Sequence, residues 1–96
     1  MKVIGIGVML QTESGTYLLQ ERDHNTSVNP GRIAPFGGGL DKGEDVYECA
    51  LRELREELAL ELESEKLNDI GLFASRHEPG VYVQMFLVKG INKSIL

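Results

Sequence analysis

Glu53, Glu56 and Glu57 crowd together in the segment Gly38–Leu60, GGLDKGEDVYECALRELREELAL. On an α-helix, residues three and four apart share a face, so Glu53 lies beside both Glu56 and Glu57. Like charges so placed weaken a helix. A solvated face would mix signs, with an acid preceding a base by four. Only Arg52 and Arg55 offset Glu44, Asp45, Glu48, Glu53, Glu56, Glu57, Glu61 and Glu63. Arg52 can pair with Glu56 or Glu48, which leaves Glu53 and Glu57 unpaired. The chemistry that fits is a hard divalent cation, held by carboxylates together with substrate phosphate and water.

The elements that must position these groups follow from pattern. Val46, Ala50, Leu54 and Leu58 recur every four residues, with Leu51 alongside, and predict a helix from Asp45 or Val46 to about Leu60. Asp45 suits the positive end of its dipole. Ahead of it, Gly37–Gly38–Gly39–Leu40–Asp41–Lys42–Gly43 reads as a Gly-rich loop able to approach a ligand closely. Asp41 to Asp45 lacks the alternating oxygen ligands of a calcium loop. Val3–Leu10 predicts a buried strand, Gln11–Gly15 a turn, and Thr16–Gln20 the returning strand. Gly5 and Gly7 open no helix, so they mark close backbone approach rather than a dinucleotide fingerprint. Arg22–Arg32 is a polar loop, and Ile33–Phe36 a short strand. Leu67–Ser75 and Val81–Val88 complete the strands, with Gly90 ending the last.

Written as a pattern, Gly38, five residues, Glu44, seven residues, then Arg52-Glu53-Leu54-x-Glu56-Glu57-x-Ala59-Leu60 resembles the Nudix box. Ala59 stands where that family usually has Gly. A Gly would supply a left-handed helix stop at about 1 kcal/mol less cost than Ala, so the helix could instead run on through Glu61–Glu63. The resemblance covers about Val3 to Val88 and implies an α/β (α+β) fold, an α/β/α sandwich around a mixed sheet with the box as loop–helix–loop.

It also implies hydrolysis of nucleoside diphosphates linked to another group. Glu53, Glu56 and Glu57 are then the expected ligands of magnesium, with manganese as a substitute. Glu44 is a supporting acid and the Gly38 carbonyl a further ligand. Arg52 orients the glutamates, a task suited to its planar fork. Glu53 or Glu57 is the candidate base, although relatives also draw it from a later loop. Gly38 and Gly39 border the substrate, and Arg22 matches a basic position that touches phosphate in relatives. Phe36-Gly37-Gly38 resembles the opening of the box in animal enzymes that sanitise oxidised purine nucleotides. Those carry Asn where Ala34 stands. The expected function is pyrophosphate-bond hydrolysis in a nucleoside triphosphate or nucleoside diphosphate derivative; the alternative is a silent nucleotide-binding module of the same fold.

The bulk properties agree. Ninety-six residues make one domain, 1–96, and 42% hydrophobic content can supply a core. Ten basic against 15 acidic residues give a charge of −5, which argues against a basic surface for nucleic acid or anionic membrane. No run approaches a membrane span. A phosphate substrate would need cations between it and such a site. One cysteine, Cys49, excludes an internal disulfide, reads as a small buried side chain, and suits a reducing cytoplasm. His24 and His77 read as solvent-exposed, and Tyr47 as helix surface or packing. The family's last strand and second helix, which would follow VYVQMFLVKG, are expected to be lacking. The sheet edge so exposed is a site for homodimer formation.

Overall fold

The computed structural model describes residues 2–21, 33–76, 78–92 and 94. Its main sheet runs β2 (Tyr17–Leu18), β1 (Lys2–Thr12), β7 (Val81–Ile91), β6 (Asn68–Ala74), with β5 (Phe36–Gly39) also on β1. β1 and β7 are parallel and the other pairs antiparallel, so the sheet is mixed. β3 (Gln20–Glu21) and β4 (Ile33–Ala34) form a separate short ribbon. The one helix among the described residues, α1 (Val46–Leu58), covers one face, and a 3-10 turn at Ser64–Lys66 leads into β6.

Alternation along the two central strands sets the core. Ile6, Val8 and Leu10 of β1 and Phe86 and Val88 of β7 point to the α1 side and are buried there. Cys49, Ala50 and Leu54 of α1 meet them, with Val46, Leu51 and Leu58 at the flanks. Tyr47 packs its ring 5.0 Å from that of Phe86. Gln84 is a polar residue buried among them, and burying its amide costs free energy unless it is bonded. A bulge in β6 between Asp69 and Gly71 brings it partners. Its Nε2 donates to Asp69 Oδ1 at 2.7 Å, to Met85 O at 3.1 Å and to Gly71 O at 3.3 Å.

Several expectations shift. β1 and β7 run longer than predicted, and Gly90 lies inside β7 at φ 74 rather than ending it. The hairpin's return breaks at Leu19, with β3 leaving the main sheet to pair with β4. The Gly-rich loop is shorter than it reads, because Gly37, Gly38 and Gly39 are strand β5, paired with Gly7, Ile6 and Gly5. Among the described residues the sheet carries one helical layer, α1. The polar stretch 22–32 lies outside the described residues, and with it Arg22 and His24; so does His77. No helix among the described residues is long and apolar enough to cross a membrane.

Both helix ends have local causes. Asp45 Oδ1 accepts from Glu48 N at 2.8 Å while Glu48 Oε1 accepts from Asp45 N at 3.0 Å, a capping box. Glu48 is therefore spent on the cap and is no partner for Arg52. At the other end the helix stops instead of running on. Ala59 takes φ 53, ψ 29, its N–H reaching Arg55 O at 2.9 Å. Left-handed backbone is strained for a residue with a Cβ. Ala59→Gly is expected to stabilise the domain by about 1 kcal/mol. Thermal unfolding should show this as a midpoint about 4–8 °C higher; an unchanged or lower midpoint counts against the strain.

Candidate functional site

The site grows from β5, whose last three residues are glycines. Gly38 pairs with Ile6, so its missing side chain would point to the α1 face, where a Cβ would fall on Glu53 Oε1 and 2.6 Å from Glu53 Cδ. The Glu53 carboxylate thus lies flat on the Gly38 peptide, a cradle that any other residue would fill. Its side chain is only 12% exposed. Burial pushes its carboxyl pKa up, Arg52 opposes this, and Glu56 and Glu57 add to the rise.

Arg52 organises the acids. Its Nε donates to Glu44 Oε2 at 2.7 Å, its Nη2 to Glu44 Oε1 at 3.0 Å and to Gly39 O at 3.1 Å. Nη1 donates to Glu53 Oε1 at 2.9 Å and lies 3.3 Å from Glu56 Oε2, while Asp41 Oδ2 is 3.3 Å from Nε. The fork-on-fork pair with Glu44 is the strong one, because geometry and shielding coincide. Asp41 and Glu56 are mostly exposed and contribute little. The hydrogen bond from Arg52 holds the Glu44 carboxyl at about 2, well below its ordinary 4.5. Glu44 Oε1 also accepts from Asp41 N at 3.0 Å, which closes the turn before the helix.

Glu53 is therefore not unpaired: Arg52, the preceding residue, is its partner. Glu57 stands exposed, and no described residue bonds its side chain. Asp41 and the Gly39 carbonyl were not singled out from sequence, since only the folded turn carries them to Arg52. Cys49 is buried beneath the site, its Sγ 3.4 Å from Gly39 O; burial pushes its thiol up to about 12, so it is inert packing.

One guanidinium faces four carboxylates, an excess of three negative charges. Among the described residues no three acid, His or Cys side chains converge on a common metal position. The donor set nevertheless suits a hard cation such as magnesium, which commonly takes one or two carboxylates and fills its shell with phosphate and water. Glu53, costly to keep charged as it stands, is the oxygen donor that a cation would relieve.

The far face of the sheet holds a second feature that sequence reading missed as a site. Gly5, Gly7, Gly37, Gly39, Val83 and Met85 line a cavity of about 330 Å³ together with Ala34 and Pro35. The signal was Gly5 and Gly7, read as marking close backbone approach. That reading holds, since a Cβ on Gly5 would lie 2.6 Å from Gly38 O.

A mixed sheet with one acidic helix packed on a glycine strand is the architecture of a known class. The model of the NUDIX domain matches residues 1–93, and the chain belongs to the Nudix family. It is 33% identical over 76 residues to the m7GpppN-mRNA hydrolase NUDT17 of Xenopus laevis, covering 79% of this chain and 26% of that protein. It is 46% identical over 48 residues to the nucleoside triphosphatase NudI of Salmonella arizonae, covering 50% of this chain and 34% of that one. The chain thus spans about a quarter to a third of these relatives. In fold it is similar to a mutT/nudix family protein from Listeria innocua, with a TM-score of 0.73 at 22% identity over 98% of this chain and 67% of that one.

Two outcomes test the geometry. With Arg52→Gln, Glu44 should titrate back toward its ordinary 4.5, read by carboxyl NMR. In the parent, a depressed carboxyl stabilises the fold at pH above 4.5 and loses that contribution as pH falls through about 2. The variant should therefore show a flatter stability profile across that window; an unmoved Glu44 titration would refute the pairing. Gly38→Ala should displace the Glu53 carboxylate and weaken manganese binding about tenfold or more in a paramagnetic relaxation titration, the penalty typical of disturbing a site's supporting contacts. Unchanged affinity would show that the cradle is not part of a metal site.

Proposed function

We propose that this protein hydrolyses a pyrophosphate bond in a nucleoside triphosphate or nucleoside diphosphate derivative, using magnesium, or manganese in its place, in a reducing cytoplasmic compartment. The observation that carries this reading is the Glu53 carboxylate laid on Gly38 and held by Arg52 within the box pattern. Family membership supports it, as do relatives whose names specify an mRNA-cap hydrolase and a nucleoside triphosphatase.

Each residue has a part that its position suits. Arg52 fixes Glu53 and ties it to β5 through Gly39 O, with Glu56 at the exposed edge of the same guanidinium. Glu53, with Glu56 and Glu57, presents oxygen donors, the Gly38 carbonyl being a further one. Glu44 anchors the guanidinium. When bound, a divalent cation would offset phosphate charge and make a coordinated water more acidic. Glu57 or Glu53 would take a proton from the attacking water, a role supported by the exposure of Glu57 and by the burial that raises the proton affinity of Glu53. Water adds to one phosphorus, the bridging oxygen leaves with its electron pair, and the products are two phosphate-bearing fragments. Arg22, outside the described residues, is a candidate phosphate contact.

The test is a nucleotide panel incubated with magnesium, following phosphate, pyrophosphate and nucleoside monophosphate. Turnover is expected to stop in chelator and to fall roughly 100-fold or more in Glu53→Gln and Glu57→Gln. Full turnover under chelation, or in both variants, overturns the mechanism. Nucleotide binding with no product would point to the silent binding module.

A further inference from the structure

The main sheet ends on one side in β2 and β5 and on the other in β6. β2 has two residues and β5 four, and short edges make poor templates for another chain. β6 runs seven residues, Asn68–Ala74, and no described strand pairs with its outer side. Ser75 N donates to Val81 O at 2.8 Å, which continues the register of Phe73 with Val83 and Ala74 with Tyr82. Backbone groups alternate between the two sides of a strand. Those of Phe73 therefore turn to β7, and those of Leu72 and Ala74 turn outward as a row of free donors and acceptors.

The side chains along this edge are ones that natural edges avoid. Lys, Pro or an inward charge commonly blunts such a strand. Here Ile70 is 44% exposed, Leu72 40% and Phe73 54%. The charges stand at the ends, Asp69 at one and the exposed Arg76 just past the other. Asp69 spends Oδ1 on Gln84 Nε2 and Gly71 N, and no described residue bonds its Oδ2. The extra residue of the bulge puts Asp69, opposite Phe86, on the same face as Leu72, opposite Gln84; alternation carries that face on to Arg76.

An apolar strand with opposite charges at its two ends complements its own reversed copy. Turned about Phe73, a second β6 sets Phe73 against Phe73 and Leu72 against Ala74, and brings Arg76 to Asp69 at both ends. Each Leu72–Ala74 pair exchanges the outward N–H and C=O groups. The Phe73 pair falls at the closely spaced, non-hydrogen-bonded position, where aromatic pairs stabilise a sheet. Sliding the copy by two residues loses both the ring pair and the ion pairs.

We propose that β6 pairs antiparallel with β6 of a second copy about a twofold axis at Phe73, continuing the sheet across a homodimer. β7 and β1 stand between this edge and β5, so the pairing uses no residue of the acidic site and does not depend on the hydrolase reading. Sedimentation of the parent over a concentration series should show the mass rising from 10.6 kDa toward twice that. Phe73→Lys sets like charges face to face at the axis. It should stay at 10.6 kDa throughout and keep the parent's thermal midpoint in dilute solution. Arg76→Glu should weaken dimerisation about fivefold or more, and Arg76→Lys should leave it near the parent value. Directly opposed residues at such a position have Cα atoms about 4.5 Å apart, within reach of a disulfide. Oxidised glutathione, taking up the electrons and protons of the thiols, should therefore link Phe73→Cys to its own copy and not Ile70→Cys. Cys49 is buried and stays out of the exchange. If Phe73→Lys fails to fold, the two cysteine variants decide. A parent that stays at 10.6 kDa leaves the edge to a different chain and overturns the pairing. So does a dimer that survives Phe73→Lys, or Phe73→Cys that links no better than Ile70→Cys.

Discussion

Everything around the site depends on the three glycines that end β5, Gly37, Gly38 and Gly39. They let β1 come close on one edge, where a Cβ on Gly37 would fall on Ile6 O, and let a helix carboxylate lie on the strand's face at Gly38. A single methyl at either place would push apart elements that the core holds together. The helix is fixed against this strand from both ends of its interior face: Cys49 Sγ and Arg52 Nη2 both reach Gly39 O, while Leu54 and Ala50 fill the core behind. Close backbone approach is the reason a carboxylate can be held where burial disfavours its charge.

The electrostatics then separate two acids of the same type. Glu44 takes both edges of the Arg52 fork and is held strongly ionised; Glu53 takes a single Nη1 contact while bearing the burial cost and the repulsion of Glu56 and Glu57. Their pKa values move in opposite directions from one ordinary value. Glu44 is thereby a structural anion that keeps Arg52 in place. Glu53 is an anion under tension, and its stability cost grows as pH rises through its raised value. Such a division is what a site needs if it is to accept a cation without collapsing in its absence. Lys in place of Arg52, a compact charge with three donors, could not grip both Glu44 oxygens in a planar fork and also reach Glu53 and the Gly39 carbonyl.

The remainder of the sheet serves the same arrangement. β7 lies parallel to β1 along nearly its whole length, and its buried Gln84 requires the bulge at Asp69–Gly71 to satisfy its amide. That bulge lies in β6, the strand that presents Phe73 beyond the cavity wall. Both faces of the central pair are therefore used: one packs α1 and carries the acids, the other is left open over glycines.

Much of this was legible before any coordinates. The four-residue recurrence of Val46, Ala50, Leu54 and Leu58, the acid spacing and the box pattern specify α1, its buried stripe and the family, because helix period and local charge are properties of neighbouring residues. The place of Asp45 at the helix start and the burial of Cys49 follow from the same short-range logic, whereas the reciprocal cap with Glu48 emerges from the folded turn. What sequence could not settle involves partners distant along the chain. Gly37–Gly39 reads as a loop because glycine favours turns, yet pairing with β1 makes it strand. Glu53 reads as unpaired because spacing along a helix does not reveal that Arg52 reaches sideways, anchored by Glu44 and Gly39 from the turn ahead. Ala59 stops the helix against its own preference, with Leu60 N bonding back to Leu54 O. The cavity exists only where β1, β5 and β7 meet, since a space left by absent side chains has no signature until the strands that border it are brought together.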